Sequence, residues 1–407
     1  MSTAAHGNCP TGGHRIFHLL SGREKGGVAR VVGAISHSFR ALEAEVIVGV
    51  LGNTAAVLPA GRRVVRFGRT GPLDVLAAAR LARFVRKERI AVVHTHNVTA
   101  NLYGLLLKLL MPSLIHIIHV HGNFTQILLD SRSPRLKRFL LLRGNARALR
   151  TCDRIIAVSS GVREFLALRF ADVGKIHVIN NAVDVPYLEQ EAGLPCTVVD
   201  VVAGRRNDLR PGGTPTGPGR LVGVFGRLAP VKNYPMFLRA ARLVLQEEPA
   251  TFVIVGDGPE RARLELVAAD LGITANVRFT GWLANPYPLL ASTDVVVSTS
   301  STEGFPVGLL EALALGRPVV ATDVGAVREI VREGTTGMVI PAGDAPALAG
   351  AIVRLLRDPS LCRALGARGR EVARTEFSPA AMCDRVEEVY LSALQRRRFG
   401  VAPVAHA

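Results

Sequence analysis

Glu303-Gly-Phe-Pro-Val-Gly-Leu-Leu-Glu311 is the stretch on which the reading of this chain turns. An apolar run, Asp294 to Ser298, comes before it, and a small polar run, Thr299 to Thr302, joins the two. Residues Pro306 to Leu315 read as a helix. Eight residues separate the two carboxylates, a little over two helical turns, so the acids need not lie side by side. Glu303 falls in the loop at the helix start, and Glu311 projects from the second turn. Acids so placed can grip two parts of one long ligand. Neither stands next to a Lys or Arg in sequence, so an i,i+4 ion pair does not explain them. A solvated helix face is the competing reading, and the neighbouring segments decide between the two.

Working outward, strand Arg220 to Phe225 runs into Gly226-Arg227-Leu-Ala-Pro-Val-Lys232-Asn233, ahead of a helix over Tyr234 to Gln246. Two cations five residues apart at a helix N-terminus suit a diphosphate, with Arg supplying a fork and Lys a point charge. A plain surface charge pair is the bland alternative. Thr251 to Val255 reads as a buried strand leading to the turn Gly256-Asp-Gly-Pro-Glu260. Asn276 to Leu283 reads as a strand and turn around Gly281, with Trp282 beside it read as packing. Arg317 to Gly325 continues as strand and loop, then come helix 345–357 and two further helical stretches, the last over Pro379 to Arg398.

The first half alternates in the same way. Runs 15–20, 45–50, 63–67, 91–95, 115–120, 154–158 and 176–179 read as strands. Runs 73–88, 99–110, 134–150 and 161–169 read as helices. That alternation predicts parallel sheets covered on both faces, with ligands beyond the C-terminal strand ends. The first strand is followed by Gly26-Gly27 and a helical pattern, a setting in which backbone N–H groups meet an anion. His94, His96, Asn97, His119, His121 and Gly122 fall at two strand ends. The repeated H-x-H spacing reads as strand alternation rather than as a metal set, since no carboxylate accompanies it.

The chain has 407 residues, enough for two or three domains, and 48% hydrophobic residues. Its formal charge of +17 is uneven: residues 1–200 hold 26 Lys+Arg against 13 Asp+Glu, and 201–407 hold 24 against 20. The basic excess therefore sits in the first half and predicts an anionic partner there. Residues 131–150 carry seven Lys/Arg and no acid, with Arg143, Arg147 and Arg150 on one helical face and apolar residues mixed in. This is a candidate patch for anionic lipid or a lipid pyrophosphate, against the bland reading of a basic surface helix. Five scattered cysteines with no C-x-x-C predict neither disulfide frame nor zinc site. The first residues lack the apolar core of a signal peptide, and Leu102 to Val120 is too interrupted to span a membrane.

Taken together, these segments resemble the retaining glycosyltransferases of family 4, over residues 15–395. The resemblance implies an α/β GT-B fold, two Rossmann-like domains with parallel sheets facing a central cleft. The expected division is a disordered leader 1–14, an acceptor-binding domain 15–190, a linker 191–219, a nucleotide-sugar-binding domain 220–378, and a C-terminal helix 379–407 that crosses back. It implies transfer of a hexose from a UDP- or GDP-linked donor to a glycan or lipid-linked acceptor, with no metal and no cofactor. No D-x-D metal motif accompanies the match. Arg227 and Lys232 hold the diphosphate, and His121 faces the transferred sugar. Gly26, Gly27 and Gly256 lie against the nucleotide sugar, and the backbone past Gly281 and Trp282 meets the base. Glu303, Gly304 and Phe305 contact the sugar, the amides of Phe305, Pro306 and Val307 border the diphosphate, and Glu311 binds ribose. Asn97 marks donor or acceptor contacts. Arg135, Arg138, Arg143, Arg147 and Arg150 dock acceptor or membrane. Asn180-Asn181-Ala182 replaces the family's usual Pro-Asn-Gly. The expected location is cytoplasmic, peripheral on the inner membrane face. An epimerase of the same fold, or a basic nucleic-acid-binding protein, accounts for part of these features; the second lacks interleaved aromatics and a reader motif.

Overall fold

The computed structural model describes residues 14–22, 27–35, 39, 42, 44–52, 63–71, 74–122, 134–194 and 219–399. Residues 1–13 of the expected leader, most of the expected linker, and Gly26 lie outside the described residues. The chain divides into two α/β units, Met1–Ile179 with Met382–Ala407, and Asn180–Ala381.

The first unit is a seven-stranded parallel sheet in the order β3-β2-β1-β4-β5-β6-β7. Its strands are β1 Arg15–Leu20, β2 Glu45–Val50, β3 Arg63–Arg66, β4 Val92–Thr95, β5 Ile115–Val120, β6 Arg154–Ala157 and β7 Ile176–Val178. The helices between them are α1 Gly27–Ile35, α2 Val75–Lys87, α3 Val98–Leu110, α4 Arg135–Thr151 and α5 Ser160–Arg169. Covered faces explain the near-continuous apolar strands: all six residues of β5, IHIIHV, are buried. Asp74, Asn97 and Ser159 each cap the helix that follows with a side-chain oxygen.

The second unit begins at Asn180, so residues 180–190, expected at the end of the first domain, fall in it, and α6 Val185–Ala192 is part of it. Asn181 Nδ2 donates to the Phe305 carbonyl (3.0 Å), and Asn285 Nδ2 donates to the Glu191 carbonyl (3.0 Å). An ion pair joins Arg370 to Glu189. Asn181 lies in the triplet that departs from the family pattern, and it anchors the Phe305 loop all the same.

The sheet of the second unit has six parallel strands in the order β10-β9-β8-β11-β12-β13. They are β8 Arg220–Phe225, β9 Ala250–Val255, β10 Val277–Gly281, β11 Val295–Ser298, β12 Val319–Thr322 and β13 Gly337–Ile340. Helices α7 Tyr234–Val244, α8 Arg261–Asp270, α9 Tyr287–Ser292, α10 Val307–Ala314, α11 Val327–Ile330, α12 Ala345–Arg357 and α13 Pro359–Glu376 accompany them. Phe237, Phe252, Val295, Leu348 and Ile352, each fully buried, lie in the main core.

The last helix, α14 Pro379–Phe399, makes its contacts in the first unit through Cys383, Glu387 and Tyr390. Cys383 Sγ donates to the Ala34 carbonyl (3.3 Å), Glu387 accepts from Leu42 N (2.5 Å), and the Tyr390 hydroxyl meets His94 Nδ1 (2.6 Å). Cys152, Cys362 and Cys383 are free thiols, and burial pushes the Cys152 thiol up to about 12.

Buried histidines set an acid limit on the first unit. Burial lowers His18 and His116 to about 3, and burial with neighbouring rings holds His94, His96 and His119 well below the usual range. The unfolded chain protonates these groups near about pH 6.5, whereas the folded unit does not. Their stabilising contribution is therefore full above pH 6.5 and is lost as pH falls toward 3. The melting temperature should fall steadily between pH 7 and pH 5; a flat profile there would contradict the burial.

Candidate active site

In the second unit the sequence-predicted residues gather at the C-terminal ends of β8 and β11. Gly226 opens the loop after β8, where its N–H donates to the Val255 carbonyl (2.9 Å). Gly256 has φ +133°, and a Cβ there would stand 2.0 Å from the Gly226 carbonyl oxygen. Two backbones cross at that point, which only glycine permits. Gly256 N also donates to the Gly281 carbonyl (2.9 Å), so the loops after β8, β9 and β10 are bonded in series.

Lys232 ends a short 3-10 turn, Pro230–Lys232, whose cap Asn233 is left-handed at φ +46°. The loop after β11 is tied to this turn. Thr299 Oγ1 donates to the Lys232 carbonyl (2.8 Å), and Ser301 N donates to the Val231 carbonyl (2.9 Å). Lys232 Nζ thereby reaches Glu303 Oε1 at 2.5 Å, and Ser300 Oγ donates to the same oxygen (2.6 Å). The Glu303 side chain is 11% exposed and that of Lys232 30%. The absence of a neighbouring cation in sequence thus misled: Glu303 pairs with a lysine 71 residues away. Burial, then the Glu303 carboxylate, holds the nearby Tyr234 phenol well above its usual range. Arg227 is exposed, and the described residues give it no ion-pair partner.

Glu311 is buried on the second turn of α10, and its Oε1 accepts from the Tyr287 hydroxyl (3.2 Å). Phe305 is also buried and packs edge-on against Phe377. The first turn of α10, at Val307 and Gly308, approaches the end of β8: a Cβ on Gly308 would lie 3.9 Å from the Phe225 carbonyl oxygen. Gly304 and Pro306 complete the loop between Glu303 and this helix. Trp282 is 61% exposed, which overturns the packing reading of that ring. Ser300, Tyr234 and Tyr287 were missed: Ser300 bonds Glu303 from three residues away within a run read only as polar, and Tyr287 meets Glu311 only through the fold.

The combination has the chemistry to hold an anion and a diol. A cation, an exposed guanidinium and the free N–H groups of a helix start suit phosphate oxygens. A buried carboxylate, Glu311, and a half-buried one, Glu303, suit the hydroxyls of sugar rings.

In the first unit Gly27 is the first residue of α1. His121 follows β5 and is half-buried, with Nε2 3.2 Å from His96 Nδ1. Asn97 Oδ1 accepts from Ala100 N (2.9 Å) as the cap of α3. On α4, Arg135, Arg143, Arg147 and Arg150 are exposed, with Arg138 intermediate. Leu136, Phe139 and Leu140 of that helix are more than half exposed, and the Arg143 guanidinium lies over the Phe139 ring (5.3 Å). Asn101 Nδ2 donates to Asn145 Oδ1 (2.8 Å), fixing the opposite face on α3. Among the described residues no helix is long and apolar enough to cross a membrane.

The chain matches the family model described as Glycosyltransferase Family 4 over residues 25–186, and that described as Glycosyl transferases group 1 over residues 219–358. The glycosyltransferase EpsD of Bacillus subtilis is 35% identical over 39% of this chain and 42% of its own length. The lipopolysaccharide core biosynthesis glycosyltransferase LpsE of Rhizobium meliloti is 35% identical over 42% of this chain and 54% of its own. The D-inositol 3-phosphate glycosyltransferase of Thermomonospora curvata is 31% identical over 69% of this chain and 66% of its own. The chain spans about half the length of the first curated relatives it matches. Among solved structures, Anabaena HepE in complex with UDP-glucose has a TM-score of 0.75 at 20% identity, over 93% of this chain and 99% of that one. Sucrose-phosphate synthase from Thermosynechococcus elongatus has a TM-score of 0.78 at 20% identity, over 94% and 99%.

Proposed function

The chain belongs to the GT-B glycosyltransferases built of family 4 and group 1 domains, and from that premise we propose that it moves a hexose from a UDP- or GDP-linked sugar to a glycan or lipid-linked acceptor in bacterial polysaccharide assembly, with retention of the anomeric configuration. The observation that carries this reading is the Lys232–Glu303 contact, beside a first turn of α10 that meets the end of β8. The relatives from Bacillus and Rhizobium and the UDP-glucose bound to HepE support the donor and acceptor classes.

In this mechanism Arg227, Lys232 and the N–H groups at the start of α10 stabilise the diphosphate as it leaves. The bond from the anomeric carbon to the phosphate oxygen breaks, and the acceptor hydroxyl attacks from the same face. Its proton passes to the leaving phosphate oxygen. Glu303 holds sugar hydroxyls away from the reacting carbon, Glu311 holds the ribose, and His121 contacts the transferred sugar. Gly27, Gly281 and Trp282 border the donor. No metal ion or cofactor takes part in this transfer. The basic and apolar face of α4 rests on anionic lipid at the cytoplasmic membrane surface.

Glu311→Ala is expected to weaken nucleotide binding about tenfold or more, the scale of a lost hydrogen bond to a charged group. Glu303→Ala is expected to depress kcat with a smaller effect on nucleotide affinity. Calorimetry with the free nucleotide, beside initial rates with labelled donor, separates the two. Unchanged values in both variants would remove the site. An epimerase of this fold would instead convert donor to a new nucleotide sugar with no acceptor present.

A further inference from the structure

Five histidines stand together inside the first unit. His18 comes from β1, His94 and His96 from β4 and its end, and His119 and His121 from β5 and its end. These three strands are neighbours in the sheet, and residues two apart on a strand share a face. The rings therefore stack both across and along strands. His94 and His119 lie 5.4 Å apart at 6°, and His119 and His121 lie 4.2 Å apart at 13°.

Hydrogen bonds account for only part of the cluster. His18 Nδ1 meets His96 Nε2 (2.9 Å), and His96 Nδ1 meets His121 Nε2 (3.2 Å). The Tyr390 hydroxyl bridges His94 Nδ1 (2.6 Å) and His18 Nε2 (3.3 Å). His119 is 1% exposed, and neither of its ring nitrogens has a partner among the described residues. Each buried polar group left unpaired costs about 1–3 kcal/mol. Such an orphan in a folded protein calls for a ligand that satisfies it. Protonation does not serve, because adjacent buried imidazolium rings would repel one another.

Unprotonated imidazoles without a carboxylate are the donor set of borderline transition ions, not of magnesium or calcium, which take oxygen. We propose that His96, His119 and His121 bind a divalent transition ion of the zinc type. One ring nitrogen from each lies within 4.8 Å of the others. Two nitrogens at tetrahedral zinc stand about 3.3 Å apart, against 3.2 Å for His96 Nδ1 and His121 Nε2. His18 holds the Nε2 of His96 and leaves Nδ1 for the ion, and Tyr390 holds His18 in turn. That chain is the outer-shell support which orients a ligating ring. The neighbouring trio of His18, His94 and His96 suits an ion less well, since both nitrogens of His18 and one of His94 already have partners. His121 is the half-buried member, so an ion would enter from its side, with the fourth position left to water. The site shares His121 with the proposed sugar contact, and ion binding is read on the chain without substrate, so its failure leaves the transfer reading intact.

The test is titration of the full chain, stripped with chelator, with Co2+ alone and then with Zn2+ in competition. One Co2+ per chain is expected, with the intense visible absorption of a tetrahedral ion, displaced by Zn2+. His119→Leu and His121→Asn should each weaken Co2+ binding by more than the roughly 10–100-fold that loss of an outer-shell partner costs. His177→Asn, on β7 and outside the cluster, should leave it unchanged. His119→Leu also removes an unpaired polar group, so the stripped variant should melt no lower than the parent. If it fails to fold, His121→Asn at the rim carries the test alone. No stoichiometric Co2+ binding, or binding that survives both substitutions, overturns the proposal.

Discussion

Lys232→Ala is expected to lower kcat/KM for sugar transfer by about 10²–10³-fold, the scale of removing one preorganised donor from a developing negative charge. Two loops place the ammonium. The turn Pro230–Lys232 follows β8, and the Thr299 to Glu303 loop follows β11 and is hydrogen-bonded to that turn. Glu303 holds Nζ at 2.5 Å, so the cation is oriented before any ligand arrives. The stability cost should be modest, because Lys232 is 30% exposed and Ser300 still donates to Glu303. Lys232→Arg should not restore the rate, since a planar fork cannot replace a point charge within the same turn. Comparing affinities for nucleoside diphosphate and monophosphate isolates the effect. The preference for the diphosphate should collapse in Lys232→Ala and persist in a variant elsewhere.

Gly325→Ala is expected to be the most disruptive small substitution near the site. Gly325 has φ +54°, and a Cβ there would stand 1.9 Å from the Glu303 carbonyl oxygen. The obstacle is backbone, so no side chain can move aside. Either the loop that carries Glu303 shifts or the 323–326 loop does, and both outcomes spoil the Lys232–Glu303 pair. The cost is on the order of 2–4 kcal/mol, which lowers the melting temperature of a unit this size by about 5–12 °C. Gly343→Ala is the control. It has φ +85° with nothing within 4 Å of the added carbon, so it bears only the torsional cost of about 1–2 kcal/mol. Gly325→Ala should lose activity and stability together, and Gly343→Ala should keep its activity.

The parallel sheets were legible because a strand covered on both faces must be apolar along its length. IHIIHV at 115–120 and RLVGVF at 220–225 could hardly be read otherwise. β13, Gly337–Ile340, escaped notice because four residues opened by glycine carry too short a pattern. The motif glutamates were legible as a pair, yet their partners were not. Lys232 reaches Glu303, and Tyr287 reaches Glu311, only once β8, β11 and α9 are packed. The unit boundary at residue 180 was equally hidden, since α6 is assigned by its contacts with Asn285 and Arg370 rather than by composition. Trp282 was read as packing; its position just past the end of β10 leaves it exposed. The histidines were read strand by strand, and His18 was passed over. Only the β1-β4-β5 order brings all five rings together.

The most direct test of the nucleotide-sugar reading is a thermal-shift and calorimetric titration of UDP, GDP and their hexose conjugates, without added metal, on the parent chain and on Glu311→Ala. One nucleotide family should raise the melting temperature of the parent, by the mass-action equivalent of about 2.7 kcal/mol at a hundredfold excess over Kd. Glu311→Ala should lose most of that shift. No stabilisation by any of them, or a shift untouched by the substitution, would contradict the account.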